Sequence, residues 1–275
     1  MRNLARWGAL TCAVVLGACS QDTSSPDAAT PLLNADLIAV AADQVGEDVD
    51  IMREPVFFTA MPFGAGPVLA PATGPGGGDF APPPACTYNT TTNRLECPPA
   101  ARGNLTVTRS YAFWDGSGNP QDHYDPGTTA RANVRTDVEG SRSHDGWSAT
   151  VDRSRDMTAT GLAGEETQRT WNGAGESHLT RSRHSDSGEE RSYDLECNTT
   201  VTNVVVPVPR SDEHWPLSGS ISIQCSITFV GGPRDGQTVE RTVTITFTGT
   251  QTATATVGDR TFEIDLKTRR RTPKP

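Results

Sequence analysis

The chain has 275 residues, of which 35% are hydrophobic and only 6% aromatic, so large core-forming side chains are scarce for its length. Its formal charge is −9, two units more negative without Arg2 and Arg6. An acidic chain of this kind lacks the basic footprint of a nucleic-acid binder, and that class is excluded.

The chain begins MRNLARWGALTCAVVLGACSQD. Arg2 and Arg6 form a basic leader segment, Trp7 to Leu16 an apolar one too short to span a bilayer, and LGAC a small-residue cleavage site. Leu16-Gly17-Ala18 followed at once by Cys19 resembles the lipobox of bacterial lipoproteins. The resemblance implies a signal peptide over 1–18, cleavage before Cys19, a diacylglycerol on its thiol and an acyl chain on the new amine. Several acyl chains anchor stably where one alone does not. Ser20, rather than an acid, after the cysteine implies the outer membrane in preference to the inner. No later apolar run approaches the ~18 residues of a membrane helix, so the expected membrane contact is the lipid.

Residues 19–33 then read as the lipidated cysteine and a flexible tether. Residues 34–54 read as a short amphipathic helix, with Asn34 as N-cap and Ile38, Ala42, Val45, Val49 and Met52 along one face. Asp43, Glu47, Asp48 and Asp50 crowd the rest of its surface, and Gly46 weakens its middle. The expectation is a helix that docks one stripe on the domain to follow. Residues 55–85 are rich in proline and glycine and read as a linker, with Phe57, Phe58, Met61 and Phe63 as docking points within it.

From 86 to 266 the pattern changes to alternation. Leu105, Val107, Arg109, Tyr111 and Phe113 share one parity, as do Ile221, Ile223, Cys225, Ile227 and Phe229, and again Val239, Val243, Ile245 and Phe247. Period two places each set on one face of a strand. In TATATVGDRTFEIDL a two-residue turn at Gly258-Asp259 pairs Val257 with Arg260, Ala255 with Phe262 and Ala253 with Ile264. The apolar parity must then flip from odd to even across the turn, and it does. The threonines at every even position from 242 to 256 fall on the opposite, outer face, with a turn expected near Gly249-Thr250-Gln251. The fold class is all-β, an antiparallel meander built as a twisted sheet, a sandwich or an open barrel. The middle strands are polar on both parities and punctuated by turn signals at Asn172-Gly173 and Asp186-Ser187-Gly188, so part of the sheet is expected to be wet on both faces. Residues 267–275 read as a basic disordered tail.

Cys86, Cys97, Cys197 and Cys225 form an even set in an exported chain, where disulfides persist. Three pairings are open. CTYNTTTNRLEC reads as a hairpin that sets Cys86 against Cys97, and strand parity favours Cys197 with Cys225. Metal ligation is disfavoured because no CxxC spacing occurs.

Candidate chemistry is sparse. Asp115, Ser117 and Asn119 place oxygen-bearing side chains at alternate positions, as calcium loops do, but without the matching bidentate glutamate. A glycine-rich hairpin tip is expected instead, with no metal or other cofactor. The five histidines, His123, His144, His178, His184 and His214, are scattered and make no HExxH pair. There is no GxSxG elbow, and Glu165-Glu166 and Glu189-Glu190 sit at turns rather than across a cleft. Arg153 and Arg155, then Arg181 and Arg183, recur at period two as a cationic stripe or as cross-strand partners of Glu176, Glu189 and Glu190 on solvated faces.

These readings assemble into a membrane-anchored, non-enzymatic lipoprotein of the cell envelope. Its β domain would bind an envelope protein, glycan or lipid, or support the envelope. The alternative is a carrier of lipid or another apolar ligand in a groove of a curved sheet, and an envelope hydrolase is the minor one.

Overall fold

The alternation reads directly into strands. In the computed structural model, which describes residues 29–53, 86–144, 147–162, 167–184, 190–208 and 215–274, thirteen strands form a single antiparallel sheet after one helix. The helix is α1 (Ala29–Arg53). The strands are β1 (Thr87–Asn89), β2 (Arg94–Arg102), β3 (Leu105–Asp115), β4 (Pro120–Gln121), β5 (Thr129–His144), β6 (Trp147–Thr160), β7 (Gln168–His184), β8 (Glu190–Pro207), β9 (Ser218–Val230), β10 (Thr238–Thr246), β11 (Thr252–Val257), β12 (Arg260–Asp265) and β13 (Arg271–Pro273). Strand neighbours follow chain order from β1 to β13, except that β4 folds back on β3. This is a meander in one sheet, with no second sheet for a sandwich among the described residues. The leader, Cys19 and the 55–85 segment with its phenylalanines lie outside the described residues.

Parity fixes the two faces. Val243, Ile245, Ala253, Ala255, Val257, Phe262 and Ile264 are buried, while Thr242, Thr246 and Thr256 are exposed. The Gly258-Asp259 hairpin has the register read from sequence, Val257 opposite Arg260 and Ala253 opposite Ile264. The connection between β10 and β11 spans 247–251, with Gly249 at φ 81° supplying a backbone conformation that side chains disfavour. Both disulfides join the expected partners. Cys86–Cys97 ties the start of β1 to β2, and Cys197–Cys225 links directly opposed residues of β8 and β9, with Cα atoms 4.1 Å apart in each.

Four expectations are corrected. The first concerns the start of the helix: α1 begins at Ala29, so Asn34 lies within it rather than capping it, and Pro31 sits in the first turn, where its missing N–H costs nothing. Next, Asn172-Gly173 makes no turn. Both lie inside β7, where a bulge falls between Trp171 and Gly173, and a Cβ on Gly173 would strike the β6 backbone. That glycine is there for close approach, not for chain reversal.

The other two concern charge. The strands rich in arginine are not wet on both faces: Arg153, Arg155 and Arg181 are 4%, 2% and 8% exposed on the inner face. The C-terminus is not a free tail either. Asp265 accepts the backbone N–H groups of Lys267 and Thr268 and turns the chain back, and β13 then pairs with β12.

The core is the inside of the curled sheet with α1 in it. Ile38, Ala42, Val45, Val49 and Met52 are all at most 1% exposed, as the stripe requires, yet Leu37, Gln44, Glu47 and Asp48 on other sides are buried too. A helix buried around its circumference must be wrapped, and its partners come from β5, β6, β7, β8 and the segment before β13. Strands β1 and β13 end the path without pairing to each other, so the sheet is an open barrel around a helix. Its outer face carries exposed Arg131, Arg135, Asp137, Glu139, Asp152, Asp156 and Glu176, not the apolar band of a lipid-facing barrel.

Candidate functional site: the helix-filled interior of the sheet

At 100° per residue, Asp36, Asp43, Glu47, Asp48 and Asp50 fall within one arc of roughly 160° on α1. Charges on this arc cannot face a sheet interior unless the sheet answers them. It does so with arginines at the inward parity of β5 to β8.

In the middle of the helix, Glu47 is fully buried between Arg153 and Arg142, which approaches to 2.9 Å. The next residue, Asp48, accepts from Arg155 Nε at 3.0 Å, and Arg155 Nη2 donates to Gln44 at 3.3 Å. Arg155 fits because Gly175 on β7 has no side chain: a Cβ there would lie 2.6 Å from both Cδ and Nη1 of Arg155. The freed guanidinium also donates to the Ser154 and Glu176 carbonyls. Gly175 of β7 thus opens the wall for an arginine of β6.

Both ends of the helix are gripped as well. Near the N-terminus, Asp36 Oδ1 accepts from Arg183 at 3.2 Å, and Asp36 Oδ2 meets Arg191 and the Tyr193 hydroxyl, each at 3.3 Å. Arg181 donates to the Asp36 carbonyl. At the C-terminus, Arg269 donates to Asp50 at 3.0 Å, and Arg53 lies 4.2 Å above the Trp215 ring. Gly46 makes the matching gap on the helix, since a Cβ would come within 2.7 Å of Arg269 Nε.

The electrostatics follow from burial against charge. Burial pushes the Glu47 carboxyl up, and the guanidiniums of Arg153 and Arg142 overcome it and hold the group at about 2. Asp43 and Asp50 go the other way. Burial raises Asp43 with help from the charge of Glu47, and burial raises Asp50 against the pull of Arg269. The helix therefore carries one strongly acidic carboxyl between two weakened ones.

The sequence-derived candidates fare differently. Arg153, Arg155, Arg181 and Arg183 do converge, on the helix rather than as an outward stripe, and Arg155 also reaches the Glu176 carbonyl. Asp115 turns both carboxylate oxygens onto donors: Oδ1 accepts the backbone N–H groups of Ser117 and Asn119 at 2.8 Å each, and Oδ2 the Asn119 amide at 2.9 Å. Those bonds, led by the Asn119 amide, hold the carboxyl below its ordinary range and close the loop as a turn. Among the described residues no group of three or more histidine, cysteine or acid side chains is placed to hold a metal.

Of the histidines, His123 pairs with neighbouring Asp122, and His178 with Asp194 at 2.6 Å on the exposed face. His214, Glu165, Glu166, Asp186 and Glu189 lie outside the described residues. A shallow depression of about 210 Å³ at one end of β5 to β7 is lined by hydroxyls such as Ser141, Ser148, Thr150 and Thr180, with Arg142 at its edge.

Sequence reasoning missed Asp36, Tyr193, Arg191, Arg142 and Arg269 as members of the interior. Parity held the clue for Tyr193 and Arg191, which share a face with the inward Leu195 and Cys197. No protein-family profile, curated protein or solved structure matches the chain.

Proposed function

We propose that the protein is a lipid-anchored bacterial envelope protein whose β domain works by binding or by mechanical support rather than by catalysis. The observation that carries this reading is the occupied interior. Asp36, Glu47, Asp48 and Asp50 are engaged by Arg142, Arg153, Arg155, Arg183, Arg191 and Arg269, and the interior of the sheet is taken by α1. The leader supports the anchor, because Cys19 directly follows Leu16-Gly17-Ala18 and α1 begins shortly after it. Two disulfides agree with an oxidising compartment. Replacing Cys19→Ser is expected to abolish acylation and move the protein from the membrane to the aqueous fraction. Continued fractionation of the variant with membranes overturns the anchor.

The carrier reading has one feature in its favour, the apolar inner wall of Tyr111, Phe113, Trp171 and Ile221. It requires α1 to leave the interior, or a ligand to share it. Native mass spectrometry of the Cys19→Ser protein separates the two readings. A ligand-free mass supports the binding or support role, and a bound lipid supports the carrier.

A further inference from the structure

We propose that the inside of the sheet is a receptor site for an acidic helix, filled in the structure by the chain's own α1 and open to α1 of a neighbouring copy. The contacts are those of a recognition interface. Along a helix of ~37 Å, the sheet tests charge at three levels: Asp36 by Arg183, Arg191 and Tyr193; Glu47 and Asp48 by Arg142, Arg153 and Arg155; Asp50 by Arg269. Buried ion pairs contribute little net stability compared with apolar packing, but they penalise a wrong partner or a wrong register heavily. Gly46 and Gly175 sharpen the fit, each leaving the space an arginine fills.

Connectivity permits the exchange. Among the described residues the strands take their hydrogen-bonded neighbours from the sheet and not from α1, so an exchange of helices requires no change of strand order. Residues 54–85 separate α1 from the start of the sheet. A connection of that length gives the resident helix an effective concentration on the order of millimolar, which a crowded population of copies can match. Crowding by a shared membrane rests on the anchor proposed above, whereas the receptor itself does not.

The test uses the Cys19→Ser protein in water, so its outcome is independent of acylation. Glu47→Gln and Asp48→Asn together weaken the resident helix. A labelled peptide of residues 29–53 with the native sequence is then added, alongside the same peptide carrying both substitutions. The native peptide is expected to bind at least tenfold more tightly and to raise the melting temperature of the variant. Equal affinity of the two peptides, or no binding of either, overturns the proposal. Should the variant fail to fold, the unsubstituted chain is refolded with excess labelled native peptide. Co-elution of label with folded protein supports the receptor, and its absence overturns it.

Discussion

Glu47 shows how one carboxylate can depend on two strands more than ninety residues away in the chain. Its folded value of about 2 against an ordinary value of 4.5 means that folding favours the ionised form. The stabilisation is complete above pH 4.5 and is lost as the pH falls towards 2. At 1.36 kcal/mol per unit, the contribution at neutral pH is on the order of 3 kcal/mol. Asp43 and Asp50 have raised values, so protonation favours the fold and their effect opposes that of Glu47 on acidification. Comparison of wild type with Glu47→Gln isolates the first term. Denaturant melts should show a difference on the order of 3 kcal/mol at pH 7 that shrinks steadily below pH 4.5.

Gly175 gives a steric counterpart. Gly175→Val would collide with Arg155 and with the Ser154 carbonyl, breaking the pair with Asp48 at a cost of about 1–3 kcal/mol, measurable by urea unfolding. Neither residue's role could be read in advance. The period-two spacing of the arginines is visible in the sequence, but Asp48, the partner of Arg155, lies 107 positions away.

At the scale of elements, what is local was readable and what is remote was not. The hairpin of β11 and β12 follows from two turn residues and a parity flip, all within a dozen positions. The apolar stripe of α1 follows from helical period alone. Its acids read as solvent-facing because unpaired charges belong in water, and the inward arginines of β5 to β8, with Arg269, reverse that inference. Similarly, the Asn172-Gly173 pair has the chemistry of a turn, but its position opposite β6 makes it a point of close packing. The C-terminal segment looks disordered by composition, yet it supplies an edge strand and Arg269. Deleting residues 267–275 should therefore uncover the β12 edge and free Asp50. We expect a loss of about 1–2 kcal/mol in chemical melts, together with concentration-dependent association in sedimentation.

Over the whole molecule, the thin supply of aromatic residues is reconciled with a sizeable core because the sheet closes on a helix rather than on itself. Alternation identified the all-β class; it could not say how far the sheet curls, since curvature depends on what fills it. The filling can be tested by removing residues 29–53. Without them Arg153, Arg155 and Arg181 would face an apolar chamber with no counter-charge, so the fold should lose its cooperative transition. Calorimetry would show the loss of a sharp peak, and dye binding would report the exposed inner wall. A sharp transition at the wild-type temperature would show that the sheet carries its own stability.

The pair Asp50–Arg269 spans 219 positions and joins the end of the first element to the turn before the last strand. Joining residues so far apart requires closing nearly the longest loop the described chain offers, and that entropy is recovered only once the contacts inside the loop exist. The clasp on Asp50 therefore depends on the sheet between the two residues being assembled, and a chain truncated before Arg269 loses it.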